Sequence, residues 1–114
     1  MGYVKMTDNR AVYFDCDETL ITWDPKEGAE TLLLDCDGFK RNVSPIRVHV
    51  ELMKEFKSVG WQIVVWSQGG ADHAERVIKL LGLEDYVDLI VSKPQVYVDD
   101  LPLESQYLKR VFKL

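Results

Sequence analysis

The run "WQIVVW" at residues 61–66 limits the fold more than any other stretch of the chain. A strand open to water on one face alternates apolar and polar residues. A near-continuous apolar run instead belongs to a strand covered on both faces, as in parallel sheets. Parallel neighbours need crossovers of a dozen or more residues, usually helices. The flanking sequence supplies them. In "SPIRVHVELMKEFKSVG" (44–60), Ser44 suits the N-cap, Pro45 the first helical position and Gly60 the stop, with Ile46, Val50 and Met53 as a buried stripe. In "ADHAERVIKLLG" (71–82), Ala74, Val77, Ile78 and Leu81 line one face and Gly82 ends the helix. "AVYF" (11–14), "YVDLIV" (86–91) and "VYV" (96–98) read as further strands, and a closing helix is expected from Pro102 through "PLESQYLKRVFKL". Alternating strands and helices predict an α/β fold, small and Rossmann-like, with three layers and a mostly parallel sheet. Residues 21–43 have no helical period. "ITWD" and "ETLLLDC" look extended around the breakers Pro25 and Gly28, so a β-hairpin flap is expected after the first strand.

The 114 residues, 46% hydrophobic and 29% charged, suit one compact domain over 1–114. No apolar stretch approaches the ~20 residues that span a bilayer, and "MGYVKMTDNR" lacks a signal-like apolar segment. A cytoplasmic protein without membrane contact is the expectation. A net charge of -5, with no basic run beyond Lys40-Arg41, argues against nonspecific nucleic-acid binding. Cys16 and Cys36 suit free thiols in a reducing compartment, and spacing alone leaves a disulfide open.

Both cysteines sit inside a "DCD", at residues 15–17 and 35–37, each after an apolar run. Side chains alternate along a strand, so each motif presents its two carboxylates to the same side. In parallel α/β sheets, ligands bind outside the carboxyl ends of the strands. "AVYF" delivers Asp15 and Asp17 there, "IVVW" delivers Ser67 and Gln68-Gly69-Gly70, "DLIV" is followed by Lys93, and "VYV" delivers Asp99 and Asp100. One chemistry uses such a set. A carboxylate nucleophile attacks a phosphoryl group and splits one hard step into two. A second carboxylate protonates the leaving oxygen and later activates water. Further acids share a hard divalent cation, while a hydroxyl and a lysine clamp the phosphoryl oxygens.

"YFDCDETL", "VVWS", Lys93 and "VYVDD" resemble, in order, the four motifs of the haloacid dehalogenase superfamily of phosphohydrolases, from about residue 11 to about residue 101. The resemblance implies Asp15 as nucleophile and Asp17 as general acid/base. It implies phosphate binding by Thr19, Ser67, Gln68 and Lys93, with Thr19 also orienting the loop. It implies magnesium held by Asp15, Asp17, Asp99 and Asp100, with the Asp17 main-chain carbonyl as a further ligand.

The second "DCD" also resembles the first motif of the family. The first copy is preferred because Thr19 stands where the motif wants a hydroxyl and the second copy has Phe39, and because residues 1–31 would otherwise have no place in the sheet. Asp35 and Asp37 then belong to a solvated turn of the flap, or lean over the site with Lys40 or Arg41. One departure stands out: only five residues separate Lys93 from Asp99. At about 3.4 Å each, they cannot return to the base of another parallel strand and climb it. Either "DLIV" is not a full parallel strand or the sheet is abbreviated there. His49 and His73 read as surface or packing residues, Trp61 and Trp66 as core, Trp23 as hairpin packing or substrate stacking, and Cys16 as core filler.

The expectation is a minimal, capless, magnesium-dependent phosphomonoester hydrolase. An open site suits a bulky substrate, such as a phosphoprotein or nucleic-acid end, or a small one enclosed by homo-oligomerisation. The alternatives are a noncatalytic domain of the same fold that binds metal or a partner, and a phosphotransferase using the same aspartyl-phosphate.

Overall fold

The computed structural model describes residues 2–7, 10–106 and 108–113. In chain order the elements are β1 (Ala11–Phe14), β2 (Ile21–Thr22), β3 (Leu32–Asp35), β4 (Lys40–Pro45), α1 (Arg47–Ser58), β5 (Gln62–Ser67), α2 (Ala71–Leu81) and β6 (Leu89–Ser92), followed by a 3-10 turn at Leu103–Ser105. The run at 61–66 becomes the middle strand β5, paired in parallel with β1 on one side and β6 on the other. Ile63, Val64 and Val65 are fully buried. Successive strand residues face opposite ways, so β5 is covered on both sides. The fold is α/β.

The order β1–β5–β6 advances in one direction across the sheet. Right-handed crossovers then place both helices on the same face. The packing agrees. Val12 pairs with Ile63 and Phe14 with Val65, which puts these four side chains on one face. They join a single core with Val50 and Met53 of α1 and Ala74, Val77 and Ile78 of α2. The other face carries Tyr13, about half exposed, and Trp66, its ring edge-on at 4.8 Å. The described residues therefore build the parallel sheet and one helical layer, not the expected three.

The sheet ends at β6. Val96, Tyr97 and Val98 are exposed and join no strand, which corrects the reading of "VYV". The five-residue link is the reason: it is too short for a parallel return. The helix expected from Pro102 is also absent. Only the 3-10 turn forms, and residues 108–113 are nonhelical. Tyr107 and Leu114, covered by the same expectation, lie outside the described residues, as do Met1, Asp8 and Asn9.

The flap is a second, antiparallel sheet in the order β2–β4–β3. In the β3–β4 hairpin Leu32 pairs with Val43 and Leu34 with Arg41. Leu34 and Val43 are buried in the core, whereas Leu33, on the alternate face, is about half exposed. The hairpin is therefore packed down through one face, and Arg41 shares that inner face.

The start of α1 also departs from expectation. Ser44 and Pro45 belong to β4, pairing with Thr22 and Ile21, and Ile46 precedes the helix. The Ser44 hydroxyl donates to the Glu30 carbonyl rather than capping. Strand pairing overrides the start signals. Gly82, in the left-handed region at φ +67°, ends α2 as expected.

His49 is a packing residue with a defined job. Buried in α1, it donates from Nδ1 to the Thr19 carbonyl (2.7 Å) and accepts at Nε2 from the Lys113 N–H (3.0 Å). It thus ties the loop after β1 and the 108–113 segment to α1. His49→Leu keeps the volume but orphans both partners. It is expected to lower the unfolding free energy by about 2 kcal/mol, read from the denaturant midpoint. Among the described residues no helix is long and apolar enough to cross a membrane.

Candidate active site

The loop leaving β1 is held from two sides. The Cys16 carbonyl accepts the N–H groups of Thr19 (3.1 Å), Leu20 (2.9 Å) and Ile21 (3.2 Å). Glu18 adopts a left-handed conformation at φ +60°, and its carboxylate accepts from the Thr22 hydroxyl (2.9 Å) and the Trp23 N–H (3.0 Å). Such a conformation is disfavoured for a residue with a Cβ and persists because these bonds hold it. Strand alternation sends Cys16 into the core and leaves Asp15 and Asp17 at the rim. Burial pushes the Cys16 thiol up to about 12, reinforced by the neighbouring charges of Asp15 and Asp17. It is no nucleophile at neutral pH. Cys16 and Cys36 are both free thiols.

Three adjacent strand ends meet here. From the end of β6, Lys93 extends Nζ to 3.6 Å from Asp15 Oδ2, and the same ammonium lies 5.6 Å from the centre of the Trp66 ring. The Lys93 N–H donates to the Ser67 carbonyl (2.9 Å), continuing the β5–β6 ladder past its last pair. The shortness of the link to Asp99 therefore does not keep Lys93 from the rim. Ser67 is buried, and its Oγ accepts the Gly69 N–H (3.0 Å). Gln68 is exposed and Thr19 partly buried. Trp66, expected in the core, is only partly buried because it lies on the face without helices. Trp61 is likewise only partly buried, edge-on to Phe56.

Asp99 and Asp100 are not brought to this rim. Both are exposed, and the Asp99 carboxylate accepts from the Leu101 N–H (3.1 Å) and the Gln106 amide (2.9 Å) within its own loop. The Leu101 N–H, helped by Asp100, holds the Asp99 carboxyl below the usual carboxylate range. Among the described residues no three His, Cys, Asp or Glu side chains form a metal-ligand group. A magnesium ion commonly takes one or two carboxylates, with waters and substrate oxygens completing its shell. At the rim Asp15 supplies one carboxylate and Asp17 a main-chain carbonyl, a donor set of that chemistry without Asp99 and Asp100.

The second "DCD" forms the tip of the β3–β4 hairpin. Asp35 Oδ1 accepts the Asp37 N–H (3.2 Å), Asp37 is left-handed at φ +61°, and the Cys36 N–H donates to the Phe39 carbonyl (2.7 Å). This is a solvated turn at the end of an antiparallel strand, where Asp37 lies 3.8 Å from the Arg76 guanidinium of α2.

Sequence reasoning passed over His73. Its Nε2 lies 2.8 Å from Asp17 Oδ1. The Trp23 indole stacks on its ring (centroids 6.1 Å apart, planes 12° from parallel), and the Arg41 guanidinium lies 5.1 Å from the indole centre. Trp23 thus packs the flap down, one of its two expected roles. A signal was present. His73 is the third residue of a helix that starts four residues after the end of β5, so its first turn overhangs the strand ends.

No family model matches the chain. Among curated proteins it is similar to the "Uncharacterized 36.0 kDa protein" of Orgyia pseudotsugata multicapsid polyhedrosis virus, at 27% identity over 110 residues. The match covers 89% of this chain and 30% of that protein, so the chain spans less than a third of the relative's length.

Proposed function

We propose that this domain is a magnesium-dependent phosphomonoester hydrolase of the haloacid dehalogenase type, working through an aspartyl-phosphate on Asp15. The observation that carries the reading is the juxtaposition of Asp15, in the loop it shares with Asp17, with the Lys93 ammonium at 3.6 Å, at the ends of the two parallel strands that flank β5. The reading takes the fold as Rossmann-like, of which the described residues build the parallel sheet and one helical layer.

In the first step an Asp15 carboxylate oxygen attacks phosphorus. The bond to the leaving oxygen breaks, and Asp17 gives that oxygen a proton. In the second, Asp17 takes a proton from water as the water oxygen attacks the same phosphorus. The bond to Asp15 breaks, inorganic phosphate leaves, and the Asp15 carboxylate is restored. Lys93 balances the charge that spreads over the phosphoryl oxygens, and Ser67 and Thr19 supply hydroxyls at the same rim. Gln68, exposed beside Ser67, is a further phosphate contact. Magnesium, held by the Asp15 carboxylate and the Asp17 main-chain carbonyl, would supply positive charge to the substrate phosphate. Among the described residues nothing larger than the flap stands beside the site, which suits hydrolysis over transfer and admits a phosphoprotein or nucleic-acid end.

The exposed, self-bonded Asp99 favours a second reading, a noncatalytic domain of the same fold. An aryl phosphate assay separates the two. With magnesium present the chain is expected to release inorganic phosphate, and excess chelator is expected to abolish the release, because the Asp15 carboxylate repels a phosphate dianion unless a divalent cation lies between them. Full turnover in chelator would remove magnesium from the mechanism. No turnover under either condition would select the noncatalytic reading.

A further inference from the structure

We infer that His73 is the positioning residue of Asp17 and that Trp23 seats it, so that the docked flap sets the geometry of the acid/base; the inference rests on the phosphohydrolase reading above. Three observations converge. The His73 Nε2–H donates to Asp17 Oδ1 at 2.8 Å, an interaction that spans 56 residues of sequence and joins α2 to the loop after β1. The imidazole is enclosed on all but 17% of its surface, with the Trp23 indole stacked nearly parallel to it. The third is at Gly69, where a Cβ would stand 3.2 Å from His73 Cδ2 and 3.3 Å from Cγ, so a side chain there would press on the ring and push it by a few tenths of an ångström.

The consequence concerns which oxygen works. With 45% of its side chain exposed, Asp17 is only partly held by packing. A donor on Oδ1 fixes its rotamer and leaves Oδ2 to carry the proton that goes to the leaving group and is later taken from water. Oδ1 accepts the same N–H whether Oδ2 is protonated or not, so the contact can last through both steps. The ring is in turn held by the flap. Trp23 follows β2 and Arg41, on the inner face of β4, covers the indole. A flap displaced from α2 would release His73 and then Asp17. His73 touches no reacting atom. It acts through Asp17.

The test is a double-mutant cycle on alkyl and aryl phosphates. His73→Phe keeps a ring for Trp23 but removes the donor. It is expected to lower kcat on alkyl phosphates by about 100-fold with KM little changed, as for a misplaced catalytic group, and to affect aryl phosphates far less. His73→Gln, which restores an N–H donor, is expected to recover kcat to within about threefold. In an Asp17→Asn background His73→Phe should cost nothing further. Trp23→Leu should show the same leaving-group dependence and the same silence in that background, and it reads the cycle if His73→Phe does not fold. Equal losses on both substrates, or a His73 loss that persists undiminished beside Asp17→Asn, would overturn the inference while leaving the hydrolase reading intact. Absence of turnover in the unaltered chain would overturn both.

Discussion

Asp15→Asn is expected to remove phosphatase activity, by about 10⁴–10⁶-fold, while the domain stays folded. The amide has the shape of the carboxylate but cannot form the aspartyl-phosphate. Asp15 sits at the rim of β1, so the substitution empties no part of the core. Its partner Lys93 is also partly exposed and regains water, which limits the stability change to about 1 kcal/mol. Asp35→Asn is the control. It alters a hairpin turn in which Asp35 Oδ1 accepts the Asp37 N–H. It should leave turnover within about tenfold, the scale of a contact worth ~1 kcal/mol. The two "DCD" motifs share a tripeptide and differ in setting, so the pair isolates position from composition. A reversed pattern, with Asp35→Asn inactive and Asp15→Asn active, would move the active site to the flap.

The second large effect is expected at Asp17. Asp17→Asn leaves Asp15 able to attack but removes both the proton for the leaving oxygen and the base for water. Alkyl phosphates have poor leaving groups and need the proton, whereas aryl phosphates depart largely unaided. Acid–base help is typically worth 10²–10⁴-fold, so the alkyl loss should exceed the aryl loss by about that factor. With aryl substrate the impaired second step should let phosphate accumulate on Asp15, visible as added mass on the intact protein. Equal losses with no trapped phosphate would reduce Asp17 to a structural or metal-holding carboxylate. The amide oxygen introduced by Asp17→Asn can still accept from His73, so the variant tests the proton rather than the contact.

The strands and helices up to β6, though not the strand expected at 96–98 or the helix expected from Pro102, were legible in the order of amino acids, as was the approach of one set of site residues. The apolar run "WQIVVW" demanded a strand covered on both faces, and parallel pairing on both sides of β5 satisfies that demand. The 3.6-residue stripes around Val50 and Met53, and around Val77 and Ile78, are the buried faces of α1 and α2. Alternation alone separated Cys16 from Asp15 and Asp17. Chain length was equally decisive between Lys93 and Asp99, where five residues cannot cross a sheet. Pairing between distant segments was a different matter, and tertiary packing settled it. The contest between the helix-start signals at Ser44-Pro45 and the end of β4 went to the ladder with β2, because Ser44 and Pro45 gain partners there. The number of layers followed from winding direction: strands added in one order put both helices on one face, a property of no single segment. The contact between His73 and Asp17 requires a crossover helix to lay its first turn over a neighbouring strand's end. Hydrophobic period records which face of a helix is buried, but not which polar group from 56 residues away will meet its rim.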